Sequence, residues 1–158
     1  MQVPKEIRTT LAPLQPLITG EELTELPSFA GAYALIIHLD KDAQFTRAGE
    51  AKSLTAGWYL YAGNAYGSGG VRARLLRHFR QDKKVQWHID QLTIRATFMA
   101  AAPLRGGSEC GIINQLLETQ PFEPSLASFG SSDCSACVSH LLRIRPALRF
   151  KVGNARPL

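Results

Sequence analysis

The chain has 158 residues, of which 45% are hydrophobic and 20% are charged, a balance that supports one folded domain and argues against a disordered chain. No apolar run reaches the roughly 18 residues that a membrane helix needs, and the N-terminus lacks the continuous apolar segment of a secretory signal. Three cysteines are an odd count, which does not make a disulfide framework. We therefore expect a cytoplasmic protein without membrane association.

The net charge of +5 is concentrated in two segments. Residues 71–95 contain seven arginines and lysines against Asp82 and Asp90, and residues 141–158 contain five basic side chains and no acid. Clustered cations release counterions from phosphates on binding, so a nucleic-acid partner is one explanation of this distribution. A solvated helix face followed by a loose basic tail explains it equally well.

The first half of the chain is predicted to contain an N-terminal arm and three strands. Residues 1–30 carry four of the nine prolines, which favours an arm with a short helix over 21–26. The apolar run 32–39 predicts a buried strand, and 44–48 its hairpin partner. Residues 57–63 are aromatic and bounded by glycines, which is typical of a third strand.

The second half is predicted to contain helices that alternate with a strand. Apolar residues at helical spacing predict a helix over 71–80, a short second helix beginning near 87–90, and a third over 109–118 with Ser108 as its N-cap. A fourth strand is expected over 96–102, closed by Pro103. The sum is a single α/β domain over 31–145 with a small mixed or antiparallel sheet flanked by helices, followed by a basic C-terminal tail over 146–158.

Two short motifs allow both a chemical and a structural interpretation. The loop Gly67-Ser68-Gly69-Gly70 precedes a basic helix and could hold a phosphate, but it lacks the Walker and dinucleotide patterns, and a tight turn is the simpler interpretation. Cys134-x-x-Cys137-x-x-His140 groups three zinc-type ligands where a structural site needs four. Cys110 or Asp133 could complete that set in space. We favour packing against the sheet without a metal.

An ordered set of motifs resembles the GIY-YIG nucleases. Gly31-Ala32-Tyr33 on the first strand, Tyr61-Ala62-Gly63 on a later one, and Arg74 with His78 one helical turn apart are similar to the motifs of that family. Trp87-His88-Ile89-Asp90, Glu109-Cys110 and the segment from Phe129 to His140 are similar to its Uri-type branch of small stand-alone endonucleases. The resemblance covers residues 31–145.

The resemblance implies an enzyme, a divalent-metal-dependent endonuclease that hydrolyses phosphodiester bonds in DNA. Glu109 would hold Mg²⁺ or Mn²⁺, for which one carboxylate with waters and phosphate oxygens suffices. Tyr33 and Tyr61 would orient or deprotonate the attacking water. Arg74 would stabilise the charge of the transition state, and His78 would contact the phosphate or assist the leaving oxygen. Each of these residues alone also has a structural explanation, such as core packing for the tyrosines.

Substrate binding in this interpretation rests on phosphate contacts, because no DNA-reading module is recognisable, and recognition would be directed by structure rather than by sequence. His88 would lie near the same phosphate with Asp90 as its partner, although Asp90 could equally be a surface residue or a cap. A nucleic-acid-binding module without catalysis, or a small protein-interaction domain, remains an alternative. The predicted substrate-binding residues are Gly63, Asn64, Arg72, Arg77, Lys83, Lys84 and His88.

Overall fold

The computed structural model describes residues 2–14, 16–118, 122–127, 129–130 and 134–145, so that the predicted basic tail and Asp133 lie outside the described residues. The helices are α1 (Lys5–Thr10), α2 (Gly70–Phe79), α3 (Asp90–Thr93) and α4 (Glu109–Leu117). The strands are β1 (Gly31–Leu39), β2 (Ala43–Arg47), β3 (Glu50–Leu54), β4 (Gly57–Ala65), β5 (Phe98–Arg105), β6 (Phe122–Pro124) and β7 (Leu141–Ile144). No helix in these ranges is long and apolar enough to cross a membrane.

Five strands form one sheet in the order β5-β1-β4-β7-β6, and every pair of neighbouring strands in it is antiparallel. Strands β2 and β3 form a separate two-stranded sheet. This arrangement confirms the predicted α/β class and the small sheet flanked by helices.

Strand β1 is apolar almost throughout because both faces of the sheet are covered. Successive side chains point to opposite faces of a strand. Ala32, Ala34 and Ile36 pack in one core cluster, and Tyr33 and Leu35 pack in the other. Burial of each large side chain of this kind stabilises the fold by about 1.5–3 kcal/mol.

Helices α1 and α4 cover the first face of the sheet, and α2, α3 and the β2–β3 hairpin cover the second. Helix α4 begins as predicted after Ser108, whose hydroxyl accepts a hydrogen bond from the backbone N–H of Gly111 at 3.0 Å. The first residue of α4, Glu109, thereby lies beside Asn64 at the end of β4, the central strand of the sheet. This junction is where the candidate site lies.

The predicted N-terminal arm is part of the domain core. Ile7, Leu11 and Leu14 are buried against the sheet, and Leu11 is 0% exposed. Ile18 and Ala101 of β5 exchange two backbone hydrogen bonds of 2.8 Å. The short helix expected over 21–26 is a 3₁₀ turn at Glu22–Glu25.

Two strand predictions were wrong in detail. Residues 43–47 pair with β3 rather than with β1, because Ala48 and Gly49 adopt positive φ angles of 51° and 77° and close a two-residue hairpin turn. Strand β5 continues through Pro103 to Arg105 instead of ending before it. Because β5 lies at the edge of the sheet, proline is tolerated there.

Candidate active site

A cavity of about 330 Å³ opens where the start of β1, the end of β4 and the first turn of α4 meet. Seven of the residues predicted from the sequence line it: Tyr33, Tyr61, Gly63, Asn64, Arg74, His88 and Glu109. Four further lining residues carried no predicted site role: Gln86, Trp87, Ile89 and Gly130. These side chains come from positions up to about 100 residues apart, and the fold brings them to one place.

Tyr33 lies in the wall of the cavity with its ring almost fully buried, at 2% exposure. It stands opposite Gly63 in the β1–β4 register. A Cβ atom placed at Gly63 would overlap the Tyr33 hydroxyl and the adjacent ring carbon. Glycine at position 63 therefore provides the space that the Tyr33 ring occupies.

His78 lies behind Tyr33 and does not line the cavity. It is 0% exposed, and its Nε2 is 2.7 Å from the Tyr33 hydroxyl. Burial, reinforced by the charge of Lys83, lowers the pKa of His78 to about 3, so the ring is neutral at pH 7. This geometry does not provide the predicted contact of His78 with a phosphate, since the histidine is fully buried and its ring packs behind the cavity-lining rings of Tyr33, Tyr61 and Trp87.

The hydrogen-bond partners of His78 indicate which ring nitrogen carries the proton. Within the described part of the chain, its buried Nδ1 has no hydrogen-bond partner. A buried N–H without an acceptor is rarer in proteins than an acceptor without a donor. We therefore assign the proton to Nε2, which donates to the Tyr33 oxygen and leaves the phenolic proton available to the cavity.

The stability of the chain should fall in weak acid because of His78. The folded-state pKa lies below the value of about 6.5 for an unfolded histidine, so the unfolded state binds the proton first as the pH falls. Between pH 7.5 and 5.5 this lowers the free energy of unfolding by about 1.4 kcal/mol. The free energy of unfolding should be measured with urea for the wild type and for His78→Gln. The difference between the two proteins should be smaller at pH 5.5 than at pH 7.5 by that amount. A difference independent of pH would contradict the assignment.

Both tyrosines of the cavity are protonated at neutral pH. Burial, with the Glu109 carboxylate as the next contribution, raises the pKa of Tyr61 to about 12. Burial also raises the pKa of Tyr33 well above its ordinary value. The Arg74 guanidinium lowers the pKa of both phenols, so added positive charge near Glu109 would act in the same direction.

Arg74 and Arg77 lie one turn apart on α2 but have different roles. The Arg74 guanidinium stacks on the Trp87 ring at 4.5 Å and, among the described residues, has no hydrogen-bond acceptor. Its donors therefore remain available to a ligand in the cavity. Arg77 lies 3.9 Å from the same ring and donates to both carboxylate oxygens of Asp90 at 2.7 and 2.8 Å. The predicted substrate role of Arg77 thus competes with an internal ion pair.

Asp90 is a structural anchor of the cavity wall and does not act as the partner of His88. The carboxylate is 0% exposed and also accepts from the backbone N–H groups of Gln86 and Trp87. Although burial alone would raise its pKa, the hydrogen bonds from Arg77, Trp87 and Gln86 hold it well below the usual range. His88 instead lies at the cavity with its ring 5.9 Å from the Phe129 ring.

Replacing Asp90 with asparagine should be strongly destabilising. The change leaves the partly buried Arg77 charge without its counterion, which typically costs about 3 kcal/mol or more. The matched control is Asp82→Asn, because Asp82 is 86% exposed and pairs with Arg80 at 3.6 Å. That variant should lose less than about 0.5 kcal/mol. Equal losses of unfolding free energy in the two variants, measured with urea, would contradict a large contribution of the Asp90–Arg77 ion pair to stability.

The other predicted phosphate contacts are largely engaged within the chain. Arg72 donates to the carbonyl of Thr24, and the Lys83 ammonium caps the end of α2 through the carbonyls of Arg77 and His78 at 3.2 and 2.6 Å. Burial lowers the pKa of Lys83 to about 8. Lys84 is exposed, and its side chain makes no hydrogen bond or ion pair with the described residues.

The glycine-rich loop before α2 is a tight turn. The backbone N–H groups of Gly70, Val71 and Ala73 already donate to Gly67, Phe29 and Gly69, respectively. Gly69 and Gly70 adopt φ angles of 83° and 60°, which glycine tolerates at no cost. These three amides are therefore occupied, and none of them is free to hold a phosphate in the alternative interpretation.

Glu109 is positioned by one contact of its backbone and one contact of its side chain. Asn64 at the end of β4 accepts a hydrogen bond from the Glu109 backbone N–H at 2.9 Å, so this predicted substrate contact also fixes the start of α4. The Glu109 carboxylate is 24% exposed and lies 3.5 Å from Nδ1 of His140. Burial raises the pKa of the carboxyl, and His140 and a backbone hydrogen bond from Asn64 oppose that rise.

Two places in this region have donor atoms suited to metal ions. The Glu109 carboxylate faces the polar cavity and is the type of oxygen donor that hard cations prefer. Directly beside it, Cys110, Cys134, Cys137 and His140 form a cluster whose ligand atoms all lie within 4.8 Å of one another. The sequence left the fourth member of this set open, and the fold supplies Cys110.

Comparison with known proteins identifies a family without assigning an activity. Neither the search of curated proteins nor that of solved structures found a significant match. A family model described as a domain of unknown function, DUF123, matches residues 32–155. Because this match spans most of the chain, the chain belongs to the DUF123 family.

Proposed function

We propose that the chain is a divalent-metal-dependent endonuclease that hydrolyses phosphodiester bonds in DNA and is directed by DNA structure rather than by sequence. The observation that supports it most is the convergence of Tyr33, Tyr61, Arg74 and Glu109 on one cavity. Binding alone needs neither a buried pair of phenols nor a carboxylate where a phosphate would lie. A binding module without catalysis on the same scaffold is the second candidate.

Arg74 is the residue best suited to stabilise charge on a phosphate. Its planar guanidinium presents several donors in a fixed plane, and stacking on Trp87 limits its freedom to move. A preorganised donor of this kind stabilises the charge that develops in a transition state without reorganising during the reaction. The ion pair of Arg77 with Asp90 fixes the same tryptophan and so supports Arg74 indirectly.

Glu109 is the residue that would hold the metal ion. Its carboxylate lines the cavity, and the hydrogen bond of its backbone to Asn64 fixes the helix turn that carries it. Mg²⁺ is commonly held by one or two carboxylates, with the remaining positions taken by waters and phosphate oxygens, so this donor set fits. A bound Mg²⁺ or Mn²⁺ would supply Lewis-acid stabilisation of the phosphate oxygens.

Tyr33 and Tyr61 would orient the attacking water. With the His78 proton assigned to Nε2, His78 donates to the Tyr33 oxygen at 2.7 Å, and the phenolic proton of Tyr33 can bond to a water or a phosphate oxygen in the cavity. The raised pKa values of both phenols make them hydrogen-bond donors in the resting protein. Either phenol could accept a proton only if nearby positive charge lowered its pKa first.

The test is a panel of labelled nucleic acids that includes duplex, single-stranded, flap and branched DNA and matched RNA, each incubated with Mg²⁺ or Mn²⁺. The proposal expects metal-dependent internal cuts with a preference for one DNA structure. Binding that weakens steeply with added salt but produces no cuts would favour the binding module. Absence of both binding and cutting would contradict a nucleic-acid function.

The position of Tyr33 can be tested through its neighbour in the sheet. Gly63→Ala forces the Tyr33 ring to move, and a displacement of about 1 Å at a reacting group costs roughly 100-fold in rate. Gly67→Ala is the matched control, because a Cβ there meets nothing within 4 Å. Single-turnover cleavage should fall only in Gly63→Ala. Equal rates in both variants would remove Tyr33 from the mechanism.

A further inference from the structure

The cluster of Cys110, Cys134, Cys137 and His140 joins two separate segments of the chain. Cys110 is on the first turn of α4, the Cys134–Cys137 pair is in the loop before β7, and His140 directly precedes that strand. The Cys110 sulfur lies 3.1 Å from the Cys134 sulfur and 3.5 Å from Nε2 of His140. We propose that these four side chains bind one zinc ion as a closed structural site.

The spacing of the donor atoms fits a single tetrahedral ion. Zinc binds thiolates at about 2.3 Å and imidazole at about 2.0–2.1 Å, which places neighbouring ligand atoms about 3.5–3.8 Å apart. The two distances above and the outer limit of 4.8 Å for all pairs bracket that value. Small rotations of the side chains would therefore bring all four atoms to bonding distance.

His140 is already in the orientation that a zinc ligand needs. It is 0% exposed, and its Nδ1 is 2.8 Å from the carbonyl oxygen of Gly130, to which it donates. This hydrogen bond places the lone pair of the other nitrogen, Nε2, toward the Cys110 sulfur. Histidines that bind metals typically donate their second ring N–H to a carbonyl or carboxylate in this way.

The cysteine pair has the features of a metal-binding turn. Cys134 and Cys137 are separated by two residues, which is the spacing by which a pair of cysteines commonly binds one zinc ion. Three thiolates and one imidazole are soft ligands that select zinc over magnesium, which distinguishes this cluster from the carboxylate of Glu109.

The zinc ion would link the first turn of α4, which carries Glu109, to the loop before β7, which contributes Gly130 to the cavity wall. Among the described residues between β6 and β7, none belongs to a helix or strand, and the backbone N–H groups of Ser125, Phe129 and His140 form its hydrogen bonds to the carbonyls of Leu141, Leu126 and Phe129. Cys110 follows Glu109 directly, and Gly130, which accepts from His140, lines the cavity. The ion would thus act as a positioning element. The zinc proposal does not depend on the proposed nuclease activity.

The first test is the metal content of the full chain, which is purified without chelators and analysed by inductively coupled plasma mass spectrometry. The proposal expects one zinc ion per chain, and three thiols that react with a thiol reagent only after a zinc chelator is added. Replacement of zinc by cobalt should produce the strong visible bands of tetrahedral thiolate coordination. A chain without stoichiometric metal, or one with a Cys110–Cys134 disulfide, would overturn the proposal.

Variants then assign the ligands. Cys134→Ser and Cys137→Ser should each reduce the zinc affinity by about 100-fold or more, since even residues that only support a ligand change affinity by about 10–100-fold. His38→Gln is the matched control. His38 lies at the far end of β1, outside the cluster, and its ring is hydrogen-bonded to the Thr97 hydroxyl. Equal zinc content in all three variants would contradict the assigned ligand set. The cobalt spectrum of the wild type remains decisive if a cysteine variant fails to fold.

Discussion

Replacing Glu109 with glutamine is expected to abolish metal-dependent cleavage while leaving DNA binding within a few-fold of the wild type. Glutamine keeps the shape of the side chain but removes the charge that would hold the cation. A bound divalent ion supplies several kcal/mol of transition-state stabilisation, so the rate should fall by about 10³-fold or more. The measurement is single-turnover cleavage at saturating Mg²⁺, with binding measured separately in Ca²⁺.

Glu118→Gln is the control for this experiment, because it makes the same chemical change at the other end of α4, where the side chain is exposed. It should cleave like the wild type. Zinc content should be equal in both variants, so that disruption of the neighbouring cysteine cluster is not mistaken for loss of the metal ion that we propose at Glu109. Unimpaired cleavage by Glu109→Gln would contradict the role of Glu109.

Arg74→Ala is expected to lower the single-turnover rate by about 100-fold, which corresponds to about 3 kcal/mol and is typical of the loss of one preorganised donor. The effect should fall on the rate at saturating DNA and only weakly on DNA affinity. Arg74→Lys should recover a part of the activity, since lysine keeps the charge but not the planar arrangement of donors.

Arg80→Ala is the matched control for Arg74, because Arg80 follows α2 directly, is exposed, and pairs only weakly with Asp82 at 3.6 Å. It removes the same charge from the same region. If both variants lost affinity equally and neither lost rate, Arg74 would be one cation of a binding surface. The non-catalytic module would then be the better description.

The fold was predictable where one local pattern determines one element. The apolar run of β1 and the Ser108 cap of α4 each specify their element without reference to the rest of the chain. The pairing of β2 was not predictable in this way, because its pattern does not distinguish β1 from β3 as the neighbour. The N-terminal segment had a usable signal that its prolines obscured: Val3, Ile7, Leu11 and Leu14 have helical spacing and are all buried.

The site was predictable where motifs carry it and not where distant side chains interact. Tyr33, Tyr61, Arg74 and Glu109 line the cavity as the resemblance suggested. The sequence does not reveal that Arg77 is committed to an ion pair 13 residues away, because that pairing depends on how α2 packs beside α3. The sequence could name Cys110 only as one of two candidates for the fourth member of the cysteine and histidine cluster, since 24 residues separate Cys110 from Cys134.

The most direct test of the central claim is the rate of DNA cleavage by the wild-type chain as Mg²⁺ is titrated into metal-depleted buffer, with the preferred DNA from the panel and the protein in molar excess over the DNA. Dialysis rather than a strong chelator should be used, so that the zinc ion that we propose for the cysteine cluster is not removed. The account predicts no cleavage without Mg²⁺ and a rate that rises to saturation as Mg²⁺ is added. A rate that does not depend on Mg²⁺, or DNA that stays intact at every concentration of Mg²⁺ and Mn²⁺, would contradict it.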